Sequence, residues 1–218
     1  MEKNSPEKPT ILCMYSGGID STGVIHELMT NEKYVDHPLI VHHIHIWNRE
    51  NRAKAESAAV NAILSYYQKN VERKFLVTES TFSTMGFAAL RSNRFPFDMD
   101  VCAFFSGNIC AARKDIGFVA MGRTKTDVDS GGDNFAMRMK RAQAIFTSVL
   151  SLEERKLPAY IFPVIDFSKK EIWDFLPEEV RKNTWWCRRP IYQEGKRPQP
   201  CGKCITCNDV KDFVNASV

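Results

Sequence analysis

Apolar residues along this chain gather into short runs separated by longer stretches of helical spacing. Residues 9–15 (PTILCMY) are a nearly continuous apolar run closed by Ser16 and two glycines, which predicts a strand buried on both faces. Residues 20–30 (DSTGVIHELMT) predict a helix, with Asp20 or Ser21 as its N-cap. A second strand is predicted at 39–47 (LIVHHIHIW), a helix at about 52–69, and a third strand at 72–77 (ERKFLV). Residues 80–98 mix aromatics with Gly, Pro and Ser without a sustained period, and predict a loop-rich insertion or lid. A helix at about 99–114, a short strand at 118–121, a polar loop (GRTKTDVDSGGDN), a helix from about 135 to 152 and a fifth strand at 159–165 complete the pattern. Strands alternating with helices imply an α/β fold, a doubly wound parallel sheet covered on both faces.

Composition changes this picture only a little. The 218 residues, 44% of them apolar, can bury one substantial core with a small appendage. Thirty basic against 26 acidic residues leave a formal charge of +4, which suits phosphate-bearing ligands without arguing for a polynucleotide. There is no apolar run of about 18 residues and no secretory pattern at the start, so a cytoplasmic protein without a membrane contact is expected. Seven cysteines, an odd number, argue against a disulfide scaffold, and four of them fall between 187 and 207.

In doubly wound sheets ligands sit where strands run into helix N-termini, and SGGIDS (16–21) occupies that place. Two glycines allow backbone N–H groups close approach to an anion, and the following helix offers its positive end. The loop is therefore a phosphate cradle. It lacks the Gly-Lys-Ser/Thr of a P-loop and the third glycine of the dinucleotide fingerprint.

SGGIDS resembles the SGGxDS signature of the PP-loop ATP pyrophosphatases, enzymes of adenine nucleotide alpha hydrolase-like fold that adenylate an oxygen and release pyrophosphate. The resemblance implies that Ser16, Gly17, Gly18, Asp20 and Ser21 bind ATP. At the other end, Cys187, Cys201, Cys204 and Cys207 include two C-x-x-C steps, a spacing that closes a tetrahedron around Zn²⁺ and leaves no open position for catalysis. An iron-sulfur cluster uses the same ligand set and stays open as an alternative. The division expected is a PP-loop domain at 1–183 and a C-terminal zinc-binding module at 184–218.

The two ends together are similar to the 7-cyano-7-deazaguanine synthase family of queuosine biosynthesis, in which a TWSC segment precedes CGxCxxC; here the chain reads TWWC and PCGKCITC. DFSKKEI (166–172) resembles that family's Lys-Glu-Ile segment, and Asp127 and Asp133 keep the spacing of two aspartates in its nucleotide and substrate loop. The resemblance implies that Asp127 serves Mg²⁺ or ATP, that Asp133 accepts hydrogen bonds from a guanine-like N–H edge, and that Asp20, Asp127 and Lys170 form the catalytic set. Arg123 and Lys125, with Lys169 or Lys170, would offset charge as pyrophosphate departs. The activity implied is that of an ATP-dependent C–N ligase turning 7-carboxy-7-deazaguanine and ammonia into the amide and then the nitrile, in a homodimer. Substrate-side segments depart from the family: WNREN (47–51), FPFDMDVC (95–102) and NFAMR after Asp133. A divergent member is therefore expected. Two alternatives remain: a PP-loop thiolase or amide ligase acting on tRNA or another acceptor, and a nucleotide-binding regulator without catalysis.

Other residues carry plainer readings. His43 and His45 share one strand face and His42 takes the other, as hydrogen-bonded strand residues. Cys13 belongs to the core, while Cys102 and Cys110 stand eight apart, the wrong spacing for adjacent turns of one helix face. Trp185 and Trp186 either stack a base or pack against the zinc module. Arg188, Arg189, Lys196 and Arg197 form a basic stretch that reads as a solvated loop around the metal knuckle before it reads as a nucleic-acid contact.

Overall fold

The computed structural model describes residues 8–90, 97–150 and 156–214, apart from the side chains of 88–90 and 130–133. Five parallel strands, β1 (Thr10–Met14), β2 (Leu39–Trp47), β3 (Leu76–Ser83), β4 (Ile116–Ala120) and β5 (Ala159–Ile161), form one sheet in the order β3-β2-β1-β4-β5. The order reverses on either side of β1, so the crevice that doubly wound folds use for ligands opens beside β1, at the strands' carboxyl ends.

Alternation along β1 builds both cores. Ile11, Cys13 and Tyr15 face α1 (Ile19–Thr30) and α3 (Ala53–Asn70), a layer that also buries Val60, Ile63 and Tyr67. Leu12 and Met14 face the opposite layer, where α4 (Asp98–Ala112) and α5 (Lys125–Leu150) contribute Val101, Cys110, Phe146 and Leu150. Because β1 is buried on both faces, its sequence is apolar without a gap. Three more helices, α6 (Lys169–Phe175), α7 (Glu178–Asn183) and α8 (Ile205–Val214), join the first layer through Ile172, Val180, Val210 and Val214. The C-terminal cysteine segment thus shares a core with the sheet. A four-residue helix, α2 (Glu32–Val35), follows α1.

Four elements differ from the sequence expectation, the simplest being β5, which ends at Ile161 rather than 165. The third strand lies at Leu76–Ser83 rather than 72–77. It is the edge strand, and its hydroxyls at Thr78 and Ser80 bond the two ring nitrogens of His42 at 2.8 and 2.9 Å, so the TEST stretch is polar for a structural reason. The stretch expected as a loop-rich insertion continues this strand to Ser83 and then forms a 3-10 helix, Met85–Leu90; residues 91–96 lie outside those described. The polar loop expected before residue 135 is helical from Lys125 onward, with Asp127 in the first turn of a helix that runs to Leu150. Its Asp, Ser and Gly residues mask a helical period that tertiary packing against α4 sustains.

Candidate active site

A cavity of about 1500 Å³ opens at the carboxyl ends of the strands. The SGGIDS loop forms its centre. Gly17 holds φ at +75°, and a Cβ there would stand 3.1 Å from Ala59 and 3.2 Å from Val60 of α3, so only glycine lets the loop lie this close to the helix. Gly18 caps α1 in an extended conformation, and the Ser16 and Ser21 hydroxyls, 3.0 Å apart, bind the loop to itself. Ser21 also donates to the Gly18 carbonyl at 3.1 Å. These bonds fix the loop at the positive end of a 12-residue helix, an arrangement suited to an anion.

On the β4/β5 side stand Arg123, Asp127 and Lys169. Gly122 brings this segment against the start of α1, where a Cβ would meet the Ser21 nitrogen at 2.9 Å. Asp127 caps its own turn, accepting from the Thr124 nitrogen at 3.2 Å and hydroxyl at 3.1 Å, with Lys169 Nζ 3.7 Å from its other oxygen. A capping box between Ser168 and Glu171 fixes the first turn of α6 and so the direction of Lys169. Asp20 lies among these groups with Oδ1 buried and without a hydrogen-bond partner. Burial pushes its carboxyl up to about 6; Lys169 opposes that rise and Asp127 adds to it.

On the β2/β3 side the cavity wall is a network of five charged groups. Arg52 donates to Glu56 Oε1 at 2.7 Å and to Asp98, with Glu50 2.9 Å from its Nε. Arg188 grips Glu50 with two bonds, Nε to Oε1 at 2.7 Å and Nη2 to Oε2 at 2.9 Å. Burial lifts the Glu56 carboxyl to about 7 against the pull of Arg52. Met14, Ile44 and Ile46 supply an apolar floor, and Phe97 lies under the guanidinium groups of Arg138 and Arg141 at 4.5 and 4.9 Å.

The four cysteines converge at the cavity's rim. All four Sγ atoms lie within 4.8 Å of one another, with Cys187 and Cys204 3.9 Å apart. Thiolates at about 2.3 Å from one tetrahedral ion stand about 3.8 Å from each other, so the set fits a single metal ion. Backbone N–H groups of Arg189 and Cys201 point at Cys187 Sγ at 3.3 and 3.2 Å, an arrangement that supports a thiolate.

The residues proposed from sequence are partly assembled here. Ser16, Gly18, Asp20, Ser21, Arg123 and Asp127 line the cavity, Gly17 backs the loop, and the four cysteines form one cluster. Lys170 is a correction: it points away and pairs with Asp174, four residues on, so Lys169 is the lysine at the cavity. The Asp133 side chain lies outside the described residues. Sequence reasoning missed the Glu50, Arg52 and Asp98 wall and Asp209 of α8, which also lines the cavity. WNREN (47–51) and FPFDMDVC (95–102), which carry Glu50 and Asp98, stood out in the sequence only as departures from the family. Trp185 and Trp186 stack on each other at 6.5 Å and also line the cavity.

The family model described as queuosine biosynthesis protein QueC matches residues 10–213. No curated protein sequence matches the chain. Among solved structures the chain is similar to the U34-tRNA thiolase NcsA from Methanococcus maripaludis, solved with its 4Fe-4S cluster. That likeness has 14% sequence identity and a TM-score of 0.53, covers 99% of this chain and 68% of that one, and is a likeness of fold.

Proposed function

The chain belongs to the QueC family of PP-loop, ATP-using enzymes, and from that premise we propose that it activates 7-carboxy-7-deazaguanine with ATP and joins it to ammonia. The observation that carries this reading is the Asp20 carboxyl, buried with a bare oxygen beside a preformed phosphate cradle and flanked by Asp127, Arg123 and Lys169. A group left unpaired in that setting lowers stability and is retained for a ligand.

The loop N–H groups and the α1 dipole hold the pyrophosphate end of ATP, and Lys169 and Arg123 face the charge that develops as pyrophosphate leaves. Asp20 Oδ1 and Asp127 are hard oxygen donors that fit Mg²⁺, which when bound neutralises phosphate charge and orients the leaving group. The acceptor carboxylate attacks the α-phosphorus, pyrophosphate departs, and ammonia then displaces AMP, which carries off one carboxyl oxygen. Activation of the amide oxygen in a second round and loss of AMP and two N–H protons give 7-cyano-7-deazaguanine. The resemblance assigns Asp133 to the N–H edge of the deazaguanine. At the rim, the spacing of Cys187, Cys201, Cys204 and Cys207 favours one structural Zn²⁺ over a cluster whose thiolates sit on separate irons.

Thiolation is the competing reading, since the similar solved structure is a tRNA thiolase. It needs a sulfur carrier at the ATP. Among the described residues the cysteine lining the cavity outside the four-cysteine set is Cys102, whose thiol burial pushes up to about 12, so that it stays protonated and a poor sulfur carrier at neutral pH. The test is to incubate purified protein with Mg-ATP, ammonium and 7-carboxy-7-deazaguanine, measure pyrophosphate, and identify the product by mass. Amide or nitrile supports the reading; turnover of tRNA with a sulfur donor and none of the deazaguanine overturns it.

A further inference from the structure

We propose that Arg188 is a positioning residue: it carries the order of the four-cysteine site to the carboxylates of Glu50 and Asp98 on the cavity wall and thereby sets the affinity for the acceptor. The proposal rests on the reading above, in which ATP occupies the SGGIDS loop, and adds that the acceptor lies against the Glu50 and Asp98 wall of the same cavity.

Arg188 follows Cys187 directly, and the segment between the tryptophans and this arginine is bonded at both ends. Trp185 donates its backbone N–H to the Gly17 carbonyl at 2.9 Å and its ring N–H to the Cys187 carbonyl at 2.7 Å. The first bond holds the phosphate loop. At the other end the Arg188 fork grips Glu50 with two bonds, and its Nη2 lies 3.4 Å from Asp98 Oδ2. These partners stand 138 and 90 residues away in sequence, so local structure cannot fix the pair. What fixes Arg188 is Cys187, itself gathered with Cys201, Cys204 and Cys207.

Charge explains why the wall needs it. Glu50, Glu56 and Asp98 present three carboxylates to two guanidinium groups, and all five residues line the cavity. Removing Arg188 leaves three carboxylates on Arg52 alone, and Glu50 is freed to turn away from its neighbours. With Arg188 in place, Glu50 and Asp98 are held with their oxygens toward the cavity, where carboxylate oxygens accept hydrogen bonds from N–H groups. The segment 185–188 therefore serves two ligands separately: Trp185 steadies the nucleotide loop, and Arg188 steadies the acceptor side.

The test compares Arg188→Ala, Arg188→Lys and Glu50→Gln with the wild-type protein. Arg188→Ala is expected to raise the acceptor KM by about tenfold or more, since charged hydrogen bonds of this kind are lost, while the ATP Kd, the metal content and, within about threefold, kcat stay as they are. Arg188→Lys, which keeps the charge and loses the fork, is expected to recover part of the affinity, and Glu50→Gln to repeat the Ala effect. Hydrogen exchange supplies a readout independent of turnover. Arg188→Ala should speed exchange at residues 49–52 and leave residues 17–18 protected, whereas removing the metal with a chelator should speed both. An unchanged acceptor KM, an ATP Kd weakened as much as the acceptor KM, loss of metal in Arg188→Ala, or unchanged exchange at 49–52 would each overturn the proposal. If the wild-type protein itself turns over no deazaguanine, the functional reading fails, and the exchange comparison alone decides whether Arg188 orders the wall.

Discussion

Replacing Asp20 with Asn should separate what the active site contributes to stability from what it contributes to chemistry. In the ligand-free protein Asp20 has a buried oxygen without a partner, and burial lifts its carboxyl from the ordinary 3.8 to about 6. A rise of about two units corresponds to about 3 kcal/mol of penalty on the charged form, at about 1.36 kcal/mol per unit. Asp20 is only partly buried, so about half of that is expected in practice. A carboxyl with a raised folded-state pKa binds protons more tightly folded than unfolded, so its contribution to stability falls as pH rises from about 3.8 through about 6. Asn carries no such charge. Asp20→Asn should therefore be more stable than wild type by about 1–2 kcal/mol at pH 8, with the advantage shrinking toward zero near pH 4. Urea unfolding of both proteins at the two pH values reads this directly. Mg-ATP should stabilise the wild type and barely affect the variant, which should release no pyrophosphate. A variant no more stable than wild type at pH 8, or one whose advantage does not change with pH, would refute the electrostatic reasoning.

Other outcomes follow from the same geometry. Lys169→Ala should cut pyrophosphate release by roughly 10- to 100-fold, whereas Lys170→Ala, which removes an exposed pair with Asp174, should leave kcat nearly unchanged in the same assay. Gly122→Ala forces a Cβ to within 2.9 Å of the Ser21 nitrogen and should weaken ATP binding in calorimetry without a comparable loss in melting temperature. Cys204→Ser should lose the bound metal by elemental analysis and unfold at lower temperature, because binding energy at such a site is folding energy. Cys102→Ala should retain turnover of the deazaguanine; loss of turnover with the fold intact would favour a thiol-dependent reaction.

The parts of this molecule legible in the sequence are those specified by neighbouring residues. β1 and the SGGIDS loop are contiguous, so an apolar run ending in glycines is enough to place both. The cysteine cluster is nearly as local, since two C-x-x-C steps define most of its geometry. The doubly wound class follows from alternation, and the sheet order bears it out. Features made by distant pairing are not legible. Arg52 meets Asp98 across 46 residues and Arg188 meets Glu50 across 138, and no pattern along the chain announces either. The choice between Lys169 and Lys170 turns on the phase of a short helix set by the Ser168–Glu171 capping box. β3 lies away from its expected place because an edge strand tolerates polar residues on both faces, and its Thr78 and Ser80 hydroxyls bond the His42 ring.

The central claim is that ATP activates an oxygen of the acceptor, and its most direct test is isotopic. 7-Carboxy-7-deazaguanine labelled with heavy oxygen in its carboxyl group would be turned over with Mg-ATP and ammonium, and the AMP formed would be weighed by mass spectrometry. The account predicts one heavy oxygen in AMP for each carbon-oxygen bond broken, with pyrophosphate unlabelled. AMP that carries no label, or ADP and phosphate in place of AMP and pyrophosphate, would contradict it.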